Sequence, residues 1–97
     1  MKYLKKYISD VEIKQIRDQY NEGIIEFMED NEKFIEEKLE YLKEEGYIIY
    51  PIIENNIKIF LEIMPELIKK IEKMQSKNFN KKQIQMILMD ENLYNKI

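Results

Sequence analysis

Tyr47-Ile48-Ile49-Tyr50-Pro51-Ile52-Ile53-Glu54-Asn55-Asn56-Ile57-Lys58-Ile59-Phe60-Leu61 is the stretch on which the fold class turns. Its first half is rich in β-branched and aromatic residues, Pro51 opposes a helix interior, and Glu54-Asn55-Asn56 offers a turn before the apolar run resumes. The pattern predicts a β-hairpin. The Asn pair suits the positive φ of hairpin turns, and Pro51 is tolerated on an edge strand. The rival is a single helix over residues 52 to 75, with Ile53, Ile57, Phe60, Met64, Leu67, Ile71 and Met74 as its stripe. That reading puts Pro65 inside a helix, at a cost of about 3 kcal/mol. A hairpin instead makes Pro65 the first residue of a new helix, where its missing amide matters little.

Toward the N-terminus the pattern is helical. Ser9-Asp10-Val11-Glu12 has the form of a capping box, so a helix is expected to begin near Asp10. Val11, Ile13, Ile16 and Tyr20 keep helical spacing, and Asn21-Glu22-Gly23 supplies a stop. Ile24, Ile25, Phe27 and Met28 form a short apolar block before Asp30-Asn31, residue types that make turns and start helices. A third helix fits Glu32 to Glu45, with Phe34, Ile35, Leu39 and Leu42 inward and Gly46 as its C-terminal cap. One continuous helix from Asp10 to Glu45 competes, because a Gly inside a helix costs only about 1 kcal/mol relative to Ala. Asn31 on the apolar stripe, with the doubled pairs Ile24-Ile25 and Phe34-Ile35, favours three pieces.

Toward the C-terminus, Leu67, Ile68, Ile71 and Met74 form an amphipathic helix ending near Ser76 to Asn78. Asn80-Lys81-Lys82-Gln83 is a second capping pattern. The last helix carries Ile84, Ile87 and Leu88 on one face and Met86, Met89, Leu93 and Ile97 on another. Two apolar faces are explained equally by packing within the chain and by self-association, and a homodimer is expected.

The 97 residues are the size of one domain, and two Gly and two Pro leave little room for linkers. No apolar run reaches membrane-spanning length and nothing resembles a signal peptide, so a soluble, cytoplasmic protein is expected. With no His and no Cys, imidazole and thiol chemistry and the metal sites built on them are excluded. The net charge of −3 conceals a strong asymmetry: residues 10 to 46 hold thirteen acids against five bases, whereas residues 1 to 9 carry three Lys and no acid. Phosphate would be repelled by that middle segment.

Helix, short helix, turn, helix, Gly and apolar hairpin is the order of a winged helix-turn-helix domain. The stretch Phe34-Ile35-Glu36-Glu37-Lys38-Leu39-Glu40-Tyr41-Leu42-Lys43-Glu44-Glu45-Gly46-Tyr47-Ile48 looks like a recognition helix running into the first wing strand. Asn56-Ile57-Lys58-Ile59-Phe60 falls where the second strand would be, and Asn78-Phe79-Asn80-Lys81-Lys82-Gln83-Ile84-Gln85-Met86-Ile87-Leu88 resembles the segment after the wing in MerR-type regulators. The resemblance spans residues 24 to 88 and rests on hydrophobic spacing. It implies a mainly α winged helix-turn-helix fold with one small β-hairpin and C-terminal helices; the alternative is an all-α helical bundle. It departs at Glu40, where MerR-type helices resemble an Arg-bearing motif, and in a wing that offers only Lys58 for an Arg.

Two functions follow. The first is a non-enzymatic regulator that binds nucleic acid as a dimer through Lys33, Lys43, Asn55, Asn56, Lys58, Lys81 and Lys82. The second is an acidic protein-binding module, an antagonist or adaptor, presenting Glu36, Glu37 and Glu40 to a basic surface of a nucleic-acid-handling protein. Neighbouring carboxylates such as Glu36-Glu37 and Glu44-Glu45 point about 100° apart on a helix and do not converge on a metal or substrate. No cofactor is expected. Tyr3 and Tyr7, beside Lys2, Lys5 and Lys6, either stack on a partner or lay the N-terminal segment over the core with its lysines in water.

Overall fold

Ser9 opens the first helix by accepting from the Glu12 amide, while the Glu12 carboxylate accepts from the Ser9 amide, the expected capping box. The computed structural model describes all 97 residues. A 3₁₀ turn over Lys2–Lys6 precedes α1 (Asp10–Gln19), α2 (Glu22–Asp30), α3 (Glu32–Glu44), α4 (Ile49–Asn55), α5 (Lys58–Leu61), α6 (Met64–Ser76), α7 (Lys81–Leu88) and α8 (Glu91–Asn95). There is no strand.

Residues 10 to 45 form three helices. The first break is at Tyr20, which is extended, and Asn21 then caps α2 by accepting from the Ile24 amide at 3.0 Å. Gly23 lies inside α2 and stops nothing. The second break is at Asn31, whose backbone leaves the helical region and whose Nδ2 donates to the Phe27 carbonyl at 2.9 Å. At the end of α3 the Gly46 amide bonds to Lys43 O and the Tyr47 amide to Leu42 O, a Schellman closure in which Gly46 takes φ +85°.

The expected β-hairpin is absent, and with it the winged helix-turn-helix architecture; the all-α alternative describes the chain. Residues 47 to 61 hold α4 and α5 instead of two strands. Among their buried residues, Ile49, Ile52, Ile53, Asn56, Ile57 and Phe60 recur at intervals of three and four, which is helical spacing, with Tyr47 and Ile59 buried beside that stripe. Pro51 is the third residue of α4, in the first turn, where an amide has no intrahelical acceptor to lose. Asn56 does not turn a hairpin. Its φ is −150°, it is buried in the core, and its Nδ2 donates to Leu88 O at 3.0 Å. Nor do residues 52 to 75 form one helix: the chain breaks at Asn56 and again at Glu62 and Ile63. Pro65, expected as the first residue of a helix, is the second of α6.

α3 is the central element, packed against α2, α4, α5, α6 and the N-terminal turn. It buries Ile35, Leu39 and Leu42, each worth about 1.5–3 kcal/mol when withdrawn from water. Tyr20 joins the N-terminal helices to α4 by donating its hydroxyl to Ile53 O at 2.6 Å and Glu54 O at 2.9 Å, carbonyls in the last turn of α4 that lack helical partners. The second capping box is present too, with Asn80 and Gln83 exchanging side-chain to backbone bonds at the start of α7. No helix is long and apolar enough to cross a membrane.

Candidate functional site

The chain's own N-terminus bridges two acids of the Glu-rich face of α3, Glu36 and Glu40, while Glu37 and Glu40 stay exposed. Tyr3 is buried and donates its hydroxyl to Met28 O at 2.8 Å, which fixes the 3₁₀ turn against α2. Tyr7 then reaches α3 and places its hydroxyl 3.0 Å from a Glu36 carboxylate oxygen and 2.6 Å from one of Glu40, while Lys6 Nζ pairs with Glu36 at 3.3 Å. Burial, followed by the bonds to Glu40 and Glu36, drives the Tyr7 hydroxyl well above its ordinary range, so it stays a donor. Of the three acids expected to meet a partner, only Glu37 forms no side-chain hydrogen bond or ion pair within the chain.

Acidic surface lies instead along α2 and the start of α3. A depression of about 510 Å³ is lined by Glu29, Asp30, Asn31, Glu32, Lys33 and Phe34. A second, of about 300 Å³, is lined by Arg17, Tyr20, Glu22, Ile25, Glu26 and Glu29. The two share Glu29, which pairs with Arg17 at 3.3 Å. Glu22, Glu26, Asp30 and Glu32 form no ion pair with any residue of the chain. Glu22 and Glu32 stand in first helical turns, where a carboxylate is favoured, but Asp30 ends α2, where the helix dipole opposes it.

The residues expected to contact nucleic acid are spread over four helices. Lys33 lies among the acids at the start of α3. Lys43 is in its last turn, 5.4 Å from the centroid of the Tyr7 ring. Lys58 pairs with Glu91 at 2.8 Å, an exposed contact worth about 0–1 kcal/mol. Lys81 donates to Glu45 O and lies 5.0 Å from the centroid of the Tyr47 ring, which places a cation at the C-terminus of α3. Asn55 donates to Pro51 O at 2.8 Å, Asn56 is in the core, and Lys82 is exposed on α7. With no wing, Asn55, Asn56 and Lys58 do not form the proposed contact loop.

Lys38 escaped the sequence reading. It is fully buried in α3, with Nζ donating to Phe34 O at 2.9 Å and Phe60 O at 3.2 Å, and 3.3 Å from the centroid of the Phe34 ring. Burial lowers its pKa to about 8, against the opposing pull of Glu37 and Glu62. Its position was the available signal, since residue 38 falls on the stripe of Ile35 and Leu42. Near it, Glu62 accepts from the buried Tyr94 hydroxyl, and Lys70 Nζ lies 4.0 Å from the centroid of the Tyr94 ring. Burial raises the Glu62 carboxyl, and the Tyr94 bond partly offsets this.

No group of three or more acids converges in a way that would hold a metal ion. Compared with known proteins, the chain matches no family model, no curated protein and no solved structure.

Proposed function

We propose that the chain is a non-catalytic, cytoplasmic protein-binding module that docks a basic protein surface along the acidic edge of α2 and the start of α3. The observation that carries this reading is the pair of adjoining depressions in which Glu22, Glu26, Asp30 and Glu32 have no cationic partner of their own. Such an edge steers a basic partner and rejects phosphate, so it acts mainly on association rate and on the choice of partner. The basic partner belongs to the class of nucleic-acid-handling proteins, whose surfaces are built to meet phosphate.

The test is titration of the full chain with a lysine-rich peptide at low and high salt. Changing Glu26, Glu29 and Asp30 together to Lys is expected to weaken binding by about tenfold or more, about 1.4 kcal/mol. Unaltered binding by that variant, or a duplex DNA bound more tightly than the peptide at low salt, would refute the assignment.

A further inference from the structure

The α7–α8 pair leaves an apolar depression of about 250 Å³, lined by Phe79, Gln83, Met86, Ile87 and Leu93. Met86 is 61 % exposed and Leu93 47 %, although Ile84 and Leu88 already anchor α7 to the core. Its apolar lining separates it from the two acidic depressions along α2.

Charge around the depression is unequal in kind. Of the two acids of residues 77 to 97, Glu91 pairs with Lys58, whereas Asp90 caps α8 by accepting from the Leu93 amide at 3.0 Å and keeps its charge. Lys77, Lys82 and Lys96 are exposed and in no ion pair. Lys82 sits four residues before Met86 within α7, so helical geometry sets it beside the apolar strip. Three unpaired lysines against one unpaired acid leave this segment with a net positive charge, and Lys82 carries it to the apolar strip.

We propose that this groove receives an amphipathic helix of a partner protein, apolar along one stripe and rich in Asp and Glu at its flanks. The depression is the size of one bulky side chain, and Met86 supplies a flexible, polarisable wall that adapts to different anchors. A second copy fits poorly in either arrangement. Groove against groove would bring the rim lysines of two copies together, and like charges across an interface are costly. The acidic edge of another copy lacks an anchor, because none of the exposed large apolar residues, Val11, Ile48, Leu61, Ile63, Met86 and Leu93, lies on α2.

The experiment measures fluorescence anisotropy of a labelled helical peptide of about four turns, with Leu at spacings of three and four and Glu elsewhere, titrated with the full chain. The same peptide with Lys in place of every Glu is the control. Saturable binding of the Glu peptide is expected, about tenfold or more tighter than the control, with Met86→Asp or Leu93→Asp each losing about tenfold. Lys82→Glu is expected to lose about threefold, and the charge reversals on α2 nothing, which keeps this test separate from that of the acidic edge. Circular dichroism is expected to be unchanged, because all three positions are exposed. Equal binding of both peptides, or indifference to Met86→Asp, overturns the proposal. So does a dimer in sedimentation equilibrium that Met86→Asp dissolves, or preference for anionic lipid vesicles over the Glu peptide.

Discussion

Lys38 on α3 and Phe60 on α5 are joined by a bond of 3.2 Å from Nζ to the Phe60 carbonyl, made by a lysine with no exposed surface and no carboxylate within ion-pair distance. The ammonium is held by two carbonyls and an aromatic face, which offset only part of its desolvation. A Met of similar length removes the buried charge but takes the Nζ donor from the Phe60 carbonyl, while the Phe34 carbonyl keeps the helical amide of residue 38; Ala adds a cavity. Lys38→Met is expected to lie within about 1.5 kcal/mol of the parent, and Lys38→Ala to cost about 2–5 kcal/mol. Urea denaturation measures both, and equal losses for the two variants would contradict this account.

The same lysine makes stability depend on pH. Its folded pKa of about 8 lies below the ordinary 10.5, so between those values the unfolded chain binds more protons than the folded one. Stability therefore rises with pH across that window, and the neutral amine still has two N–H groups for its two carbonyls. The tyrosines act the other way. Tyr20 is pushed up to about 12 by burial, and Tyr3, Tyr7 and Tyr94 are raised further, so above about pH 10 the folded chain holds more protons and stability falls. Denaturation midpoints are expected to peak between those limits, and Lys38→Met to abolish the rising limb while leaving the falling one.

Two helices end on a residue in the left-handed region, and they differ in its identity. Gly46 takes φ +85° after α3 and Asn78 takes φ +64° after α6, each followed by a residue whose amide bonds back into the last turn. Gly46→Ala is expected to cost about 1 kcal/mol from backbone strain, because the space around its missing Cβ is open to 3.6 Å from the flexible Lys81 side chain. Asn78→Gly is expected to be neutral or stabilising by a few tenths of a kcal/mol. Thermal melts of the two variants should move in opposite directions or differ by several degrees.

What sequence reading recovered is local chemistry. The Ser9–Glu12 and Asn80–Gln83 boxes, the Gly46 closure, the break at Asn31 and the Pro65 start each depend on residues within one helical turn. Residues 47 to 61 are helical against expectation because the β-branching of isoleucine, present eighteen times, points to strand while the spacing of Ile49, Ile52, Ile53 and Ile57 is helical. Asn56 is held by Leu88, and Glu36 and Glu40 by Tyr7, partners about thirty residues away that no local pattern reveals. Of the site residues, Lys33, Lys43 and Lys58 rest on the winged-helix resemblance and Lys81 and Lys82 on their charge at a helix start, and neither argument establishes convergence. The N-terminal segment laid over the core, weighed beside a stacking role for Tyr3 and Tyr7, is the arrangement found.

The C-terminal helix is fastened by one buried contact that substitution can isolate. Tyr94 is 1 % exposed and donates to Glu62, in the link between α5 and α6, while Lys70 lies against its ring and donates to Tyr94 O at 3.3 Å. Tyr94→Phe keeps the ring and its packing but strips the half-buried Glu62 of its donor, so the carboxyl is expected to titrate higher still. The expected loss is about 1–3 kcal/mol, the penalty of an unpaired buried acceptor. Because the raised Glu62 binds its proton more readily in the folded chain, that loss should shrink as pH falls toward the ordinary carboxylate range. Glu62→Gln, which retains an acceptor and carries no charge, is expected to lose less than Tyr94→Phe at neutral pH. Hydrogen exchange would show the opening confined first to α8, and a uniform loss of protection across α1 to α3 would instead mean that Tyr94 supports the core as a whole.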